Sequence, residues 1–298
     1  MMRCNRACAA ILGFGAATVL VLAGCSGRST AYNVTAAKTA DVSQLGALVR
    51  DGDDAWERRA NPEEIRRAIA AWEKVIAQDP TAREILAKLS RAHYLLAYGH
   101  MAGEEQKEKR LATYEAGSQY GERALALNAE FKRLVSAGAK DTDALKACTK
   151  DDAPALQWYY ANLGRWANEQ GIQKVLLYKE KLLKLASRLA EVDETFFHGS
   201  GPRLLGTYYA KAPGFAGGDL AKSKEQFDRS LAIAPNYFGT KVLMAEFYAT
   251  KKGDKALFEQ LLNEVVNGDP RVLPDVEPEQ RIEQENARKL LARSAELF

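Results

Sequence analysis

Arg229-Ser230-Leu231-Ala232-Ile233-Ala234-Pro235-Asn236-Tyr237 reads as the last turns of an amphipathic helix, a proline that stops it and an aromatic that opens the next segment. Four other stretches end in a similar way. They are Lys74 to Pro80, Arg123 to Ala129, Arg188 to Glu194 and Glu264 to Pro270. Each carries a small or aliphatic residue five positions before the stop: Val75, Ala124, Leu189, Ser230 and Val265. Upstream, apolar residues recur at helical spacing, as in Ile65, Ile69, Trp72 and Ile76, in Leu257, Leu261, Leu262 and Val265, and in the run from Leu176 through Leu183 to Leu189. Asn61-Pro62-Glu63-Glu64 is a helix start, with an Asn cap, Pro in the first turn and carboxylates at the positive end of the dipole. Alternating Val/Ile/Thr patterns are rare, so the chain from Asp41 onward is expected to be all-α.

The repeated stop is the tail of the second helix of a tetratricopeptide (TPR) pair. First-helix signatures stand upstream in Leu163-Gly164, Leu205-Gly206…Tyr209 and the weaker Met244-Ala245…Tyr248, where the small residue would let two helices approach closely. The stops lie 49, 65, 41 and 35 residues apart, and only the last approaches the TPR period of about 34. The extra residues fall in Gly103–Arg110, Ser136–Pro154 and Gly199–Asp219. Residues 41–298 are therefore expected to form one superhelical array of degenerate TPR-like pairs, each burying its apolar face against its neighbours. A length of 298 residues would by itself have suggested roughly two domains.

The N-terminus is an address. Arg3 and Arg6 precede an apolar run from Ala9 to Leu22, shorter than the roughly 20 residues of a permanent span. Leu22-Ala23-Gly24-Cys25 resembles the bacterial lipobox, which implies cleavage after residue 24, acylation of Cys25 and attachment to a membrane. Ser26 stands where an Asp would signal inner-membrane retention, so the periplasmic face of the outer membrane is the expected location. Residues 25–40, small and polar, read as a lipidated flexible tether.

Removing residues 1–24 takes away two arginines and lowers the formal charge from +3 to +1. That gives no footprint for nucleic acid. Cys4 and Cys8 leave with the signal and Cys25 is acylated, so Cys148 is the one free thiol. His93 and His100 lie seven apart without metal-ligand companions, and no nucleophile pair, phosphate loop or dinucleotide motif occurs. Neither an enzyme nor a metal or cofactor site is expected. The candidate ligand- or partner-binding residues come from crowded aromatics. Trp158, Tyr159 and Tyr160, like Tyr208 and Tyr209, cover more faces than one buried stripe holds, and Asn162 and Arg165 lie one or two turns from Trp158. His198, in Phe196-Phe197-His198-Gly199, is either a structural hydrogen-bonding residue or a ligand contact.

The chain from Trp158 onward resembles the T-component family (TatT) of tripartite ATP-independent periplasmic (TRAP) transporters. The resemblance rests on Tyr160-Ala161-Asn162-Leu163-Gly164, on Gly206…Pro213-Gly214…Gly217-Gly218-Asp219, and on Ser223…Phe227…Leu231…Pro235-Asn236-Tyr237. Ala245-Glu246-Phe247-Tyr248, Leu261-Leu262…Val265…Asp269-Pro270 and Glu285-Asn286-Ala287…Leu290-Leu291 complete it, while Asp41 to Phe131 matches more loosely. It implies a non-enzymatic periplasmic lipoprotein with a solute-binding protein as partner, a hydrophobic small ligand passing through an internal channel, and homo-oligomers. The alternative reading is a TPR scaffold lipoprotein of an outer-membrane assembly complex.

Overall fold

The predicted helix ends are helix ends. The computed structural model describes residues 31–32 and 42–298, and among these no strand occurs. Helices α1 (Val42–Glu57) and α2 (Pro62–Gln78) form a first hairpin, α3 (Arg83–His100) and α4 (Lys107–Leu125) a second. Short α5 (Ala129–Ser136) and α6 (Asp141–Ala144) lie in the long insertion before α7 (Ala153–Glu169), which pairs with α8 (Ile172–Val192). Next, α9 (Phe196–Lys211) packs along α10 (Leu220–Ile233). The short α11 (Phe238–Leu243) runs through a π-helical segment, Met244–Ala249, into α12 (Thr250–Lys252). After them come α13 (Lys255–Asn267), α14 (Glu277–Ala292) and α15 (Ser294–Leu297). The five stops quoted above coincide with the ends of α2, α4, α8, α10 and α13.

Local chemistry sets these boundaries. Asn61 accepts a hydrogen bond from the Glu63 amide at 3.0 Å, with Pro62 at the first helical position. Asp219 caps α10 by accepting from the amides of Ala221 and Lys222, and Asp254 caps α13 through Leu257. Such caps satisfy amides that have no partner within the helix. Ile65, Ile69, Trp72 and Ile76 are all buried, as the stripe in α2 predicts. In α8 the buried face is Tyr178, Leu182, Leu185 and Leu189, whereas Leu176 and Leu183 are only partly buried.

Two expectations from the repeat pattern shift. The segment Gly199–Asp219, expected to be inserted, is mostly helix, and the inserted part begins at Ala212. Of the small residues in the first-helix signatures, Gly206 sits against the Phe227 ring, where a Cβ would fall 2.9 Å from it, so α9 and α10 do meet closely there. Gly164 has no such neighbour and faces a cavity instead.

A second close approach lies outside those signatures. Gly117 and Gly121, one turn apart on α4, receive α7: a Cβ at Gly117 would lie 2.4 Å from Asn162, and one at Gly121 would lie 2.7 Å from the Tyr159 Cβ. With α4 on one side and α3, α8 and α9 on others, α7 is buried almost all round, which is why its sequence lacks a single apolar stripe. Helix α9 feeds two cores, giving Leu204, Leu205 and Tyr208 to the one built on α1–α8 and Ala210 to the one built on α10–α14.

The chain then closes on itself. The Arg59 Nε, in the α1–α2 connection, donates to both oxygens of Glu279 in the first turn of α14, at 3.1 and 3.2 Å. Arg91 of α3 reaches Glu279 Oε1 at 2.7 Å. Burial raises the pKa of this carboxyl, and the two guanidinium groups more than reverse that, leaving it below the ordinary glutamate range.

The expected signal peptide, Cys25 and most of the expected tether lie outside the described residues. Within the segment expected to be flexible, Ala31 and Tyr32 are held against the domain. The Ala31 amide donates to Glu122 Oε2 at 2.9 Å, the Tyr32 hydroxyl donates to Asp141 Oδ2 at 2.7 Å, and the Tyr32 ring meets Phe131 edge-on.

His93 supplies a test of the core. Both ring nitrogens are buried without a hydrogen-bond partner among the described residues, and burial pushes its pKa down to about 4. The unfolded chain, with histidine near its ordinary value, takes up the proton first. The stability this site contributes is therefore complete above about pH 6.5 and is lost as pH falls toward 4, by about 3 kcal/mol for a shift of this size. Denaturant unfolding at neutral pH and at pH 5 should show about 2 kcal/mol of that loss, and His93→Phe should remove most of it.

Candidate functional site

Helices α3, α7, α8, α9, α11 and α14 surround a partly open cavity. Helix α3 presents Arg91, Tyr94, Leu95 and Tyr98, spaced i, i+3, i+4 and i+7 so that all four share one face. Helix α7 presents Trp158, Tyr160, Ala161 and Arg165, and α8 adds Val175, Leu176 and Leu182. From α9 come Phe197, Arg203, Leu204, Tyr208 and Lys211, and Tyr237 and Phe247 follow. Helix α14, held by the Arg59–Glu279–Arg91 contact, closes the wall with Ile282 and Glu283. The lining is mostly apolar and aromatic with a few polar groups, the composition of a small-molecule site.

The predicted residues divide. Trp158 and Tyr208 line the cavity. Tyr159 points away from it, packs on Gly121 and donates its hydroxyl to Glu122 Oε1 at 2.7 Å. Asn162 is buried between α7, α3 and α4, where its amide donates to the carbonyls of Ser90 (2.9 Å) and Trp158 (2.8 Å). It joins helices. His198 stacks on Tyr237 with ring centroids 4.8 Å apart, outside the lining, and Tyr209 lies behind Tyr208 under Lys222. The Arg91, Tyr94, Tyr98 face of α3 was missed, although its helical spacing is visible in the sequence. So were Phe197, Arg203 and Tyr237, which come together only in three dimensions.

One part of the wall is strained. Phe197, His198 and Gly199 have φ values of 41°, 59° and 68°, a left-handed turn that only the glycine adopts freely. Arg203, buried one turn later, donates to the carbonyls of His198 (2.9 Å) and Phe197 (3.2 Å) and lies over the Tyr237 ring. The turn aims Phe197 at Trp158, with ring centroids 4.9 Å apart.

The charges in the lining do not balance. Five cations, Arg91, Arg165, Lys179, Arg203 and Lys211, face two carboxylates, Glu279 and Glu283. Glu279 is taken up by Arg59 and Arg91. Burial raises the pKa of Glu283 despite the hydrogen bond it accepts from Tyr98 at 2.9 Å. Lys211 has its pKa pushed down to about 8 by burial and by nearby Arg165. A second hollow shares Val175, Lys211 and Phe247 with the cavity and leads to the surface beside Ile172, which is 56% exposed.

Burial pushes the Cys148 thiol up to about 12, too high to supply thiolate at neutral pH. Among the described residues no three His, Cys, Asp or Glu side chains gather to hold a metal, and no helix is long and apolar enough to cross a membrane.

The family model described as the TRAP transporter T-component matches residues 67–298, from the second helix to the C-terminus. The chain belongs to the TRAP transporter T-component family. No curated protein sequence matches it. The match spans every helix that builds the cavity of this T-component, and it begins within α2, before the cavity face of α3.

Proposed function

We propose that this T-component is a non-catalytic periplasmic subunit that docks a solute-binding protein and passes a hydrophobic small ligand through the cavity. The observation that carries this is an aromatic-lined cavity closed by the return of α14 to α3, within the region that matches the family. Exposed apolar residues adjoin the lining: Phe215, 85% exposed between the lining residues Pro213 and Ala216, and Ile172 in the second hollow. A partner that delivers or receives an apolar solute would cover them.

Acylation of Cys25 would anchor the protein to the periplasmic face of the outer membrane. With Tyr32 held on Asp141, the seven residues from Cys25 reach at most about 25 Å, so the α4–α6 end would face the lipid.

Purification of the tagged, full chain from envelope extracts tests the central reading. A solute-binding protein should co-purify, and Phe215→Glu should weaken its recovery about ten-fold or more, as burying an unpaired charge in an interface does. Recovery of envelope-assembly proteins without a solute-binding protein would overturn the reading in favour of an assembly scaffold.

A further inference from the structure

Helix α8 carries charge that the chain as a whole does not. Lys174, Lys179, Lys181, Lys184 and Arg188 stand against Glu180 and Glu191, a balance of 5 − 2 = +3 within 21 residues, where residues 25–298 together carry +1. Lys179 turns to the cavity. The other four follow one edge of the helix: Lys174, Lys181 and Arg188 recur at i, i+7 and i+14, with Lys184 beside them. Leu177 sits within this edge and is 51% exposed, while Tyr178, Leu182, Leu185 and Leu189 form the buried face. An exposed leucine among basic side chains is the pattern of a helix lying against a membrane surface.

The docked N-terminal segment meets the same edge. Asp141 Oδ2 accepts from the Tyr32 hydroxyl at 2.7 Å and pairs with Lys181 at 2.6 Å, so Tyr32 stands at the middle of the stripe. Arg188 pairs with Glu191, whereas Lys184 is exposed and has no ion pair among the described residues. From Lys174 to Arg188 the stripe is about 21 Å long. The seven residues from Cys25 to Tyr32 span at most about 25 Å, so a bilayer that takes acyl chains on Cys25 lies within about one stripe length of Lys181. An acidic protein could approach the lysines from any direction. The short tether instead holds this particular edge beside the anchor, which favours lipid.

We infer that the Lys174–Arg188 edge of α8 lies on the membrane and binds anionic phospholipid headgroups, with Lys184 meeting phosphate and Leu177 entering the headgroup layer. The inference rests on the proposal that Cys25 is acylated, and adds the face, the lipid charge and the orientation. Because α8 also walls the cavity through Val175, Leu176 and Leu182, the cavity would stand one helix thickness, about 10 Å, from the lipid.

Protein purified from envelope extracts, with the chemistry of residue 25 read by mass spectrometry, is reconstituted on vesicles of phosphatidylcholine or of an equal mixture of phosphatidylcholine and phosphatidylglycerol. Acetylation by a water-soluble ester then reports the access of each lysine. Lys184 should react about five-fold more slowly on the anionic vesicles than on the neutral ones, the scale of one basic residue held at an anionic surface. Salt at about 1 M, where screening acts within about 3 Å, should remove the difference. Lys255, exposed on α13 in the other core, should react equally on both. Leu177→Glu, at a half-exposed position, should abolish the slowing, and unchanged slowing would overturn the assignment of this edge. Equal rates at Lys184 on the two vesicles would overturn the inference and leave the anchor standing. Slowing that appears only when a solute-binding protein is added would overturn it in favour of a protein contact. An unacylated residue 25 would overturn the anchor proposal and this inference with it.

Discussion

Replacing Glu279 with alanine is expected to destabilise the protein by about 3–5 kcal/mol, because it leaves the buried Arg59 and the partly buried Arg91 without their counterion. The Glu279 side chain is 9% exposed, and Arg59 is buried with it, so water cannot substitute freely. Arg59 would keep the backbone carbonyls of Trp56 and Asp275 and the face of the Trp56 ring, and Arg91 the faces of Trp56, Trp158 and Phe197. The loss should be uneven. Glu279 fixes the start of α14, and α14 supplies one wall of the cavity. Hydrogen exchange should therefore show α14 losing protection before α3 or α7, and binding of apolar probes should fall together with it. Glu130→Ala makes the control. Its partner Arg133 is three residues away on the same short helix, both side chains are more than half exposed, and the change should stay within about 0.5 kcal/mol. Equal stability of Glu279→Ala and wild type in denaturant unfolding would mean that the closure of the chain does not depend on this carboxylate.

That contact marks the boundary of what the sequence reveals. Helix ends are decided within four residues, so Asn61, Asp219, Asp254 and the prolines at 80, 235 and 270 announce them. The pairing of Arg59 with Glu279 spans 220 positions and carries no local sign. Crowded aromatics on α7 correctly signal that several faces are buried, yet cannot say against what. The answer for Tyr159 and Asn162 lies in Gly117 and Gly121, whose one-turn spacing is a readable sign of close helix packing. The cavity face of α3 is also readable, since Arg91, Tyr94 and Tyr98 share a stripe. Its function is not, because the same stripe would serve equally well to join two helices.

Replacing Arg203 with methionine should bring the other large effect, a loss of about 3–5 kcal/mol. Two residues, Phe197 and His198, are held in the left-handed region, at about 1–2 kcal/mol each for a side chain with a Cβ. What offsets this is a guanidinium donating to both of their carbonyls, each such charge-assisted bond contributing about 1.5–3 kcal/mol. Methionine fills much of the space and restores neither bond, so the turn should relax and swing Phe197 away from Trp158. Loss of stability should then appear with weaker binding of decanol, whose contacts are apolar only. His198→Gly separates the strain from the side chain. Glycine adopts this φ freely but forfeits the stack on Tyr237, so stability should stay within about 1 kcal/mol of wild type. His198→Val, branched at Cβ in the same conformation, should cost more than about 2 kcal/mol. If His198→Gly instead kept its stability and lost probe binding, the imidazole would be a ligand contact and not a strut of the wall.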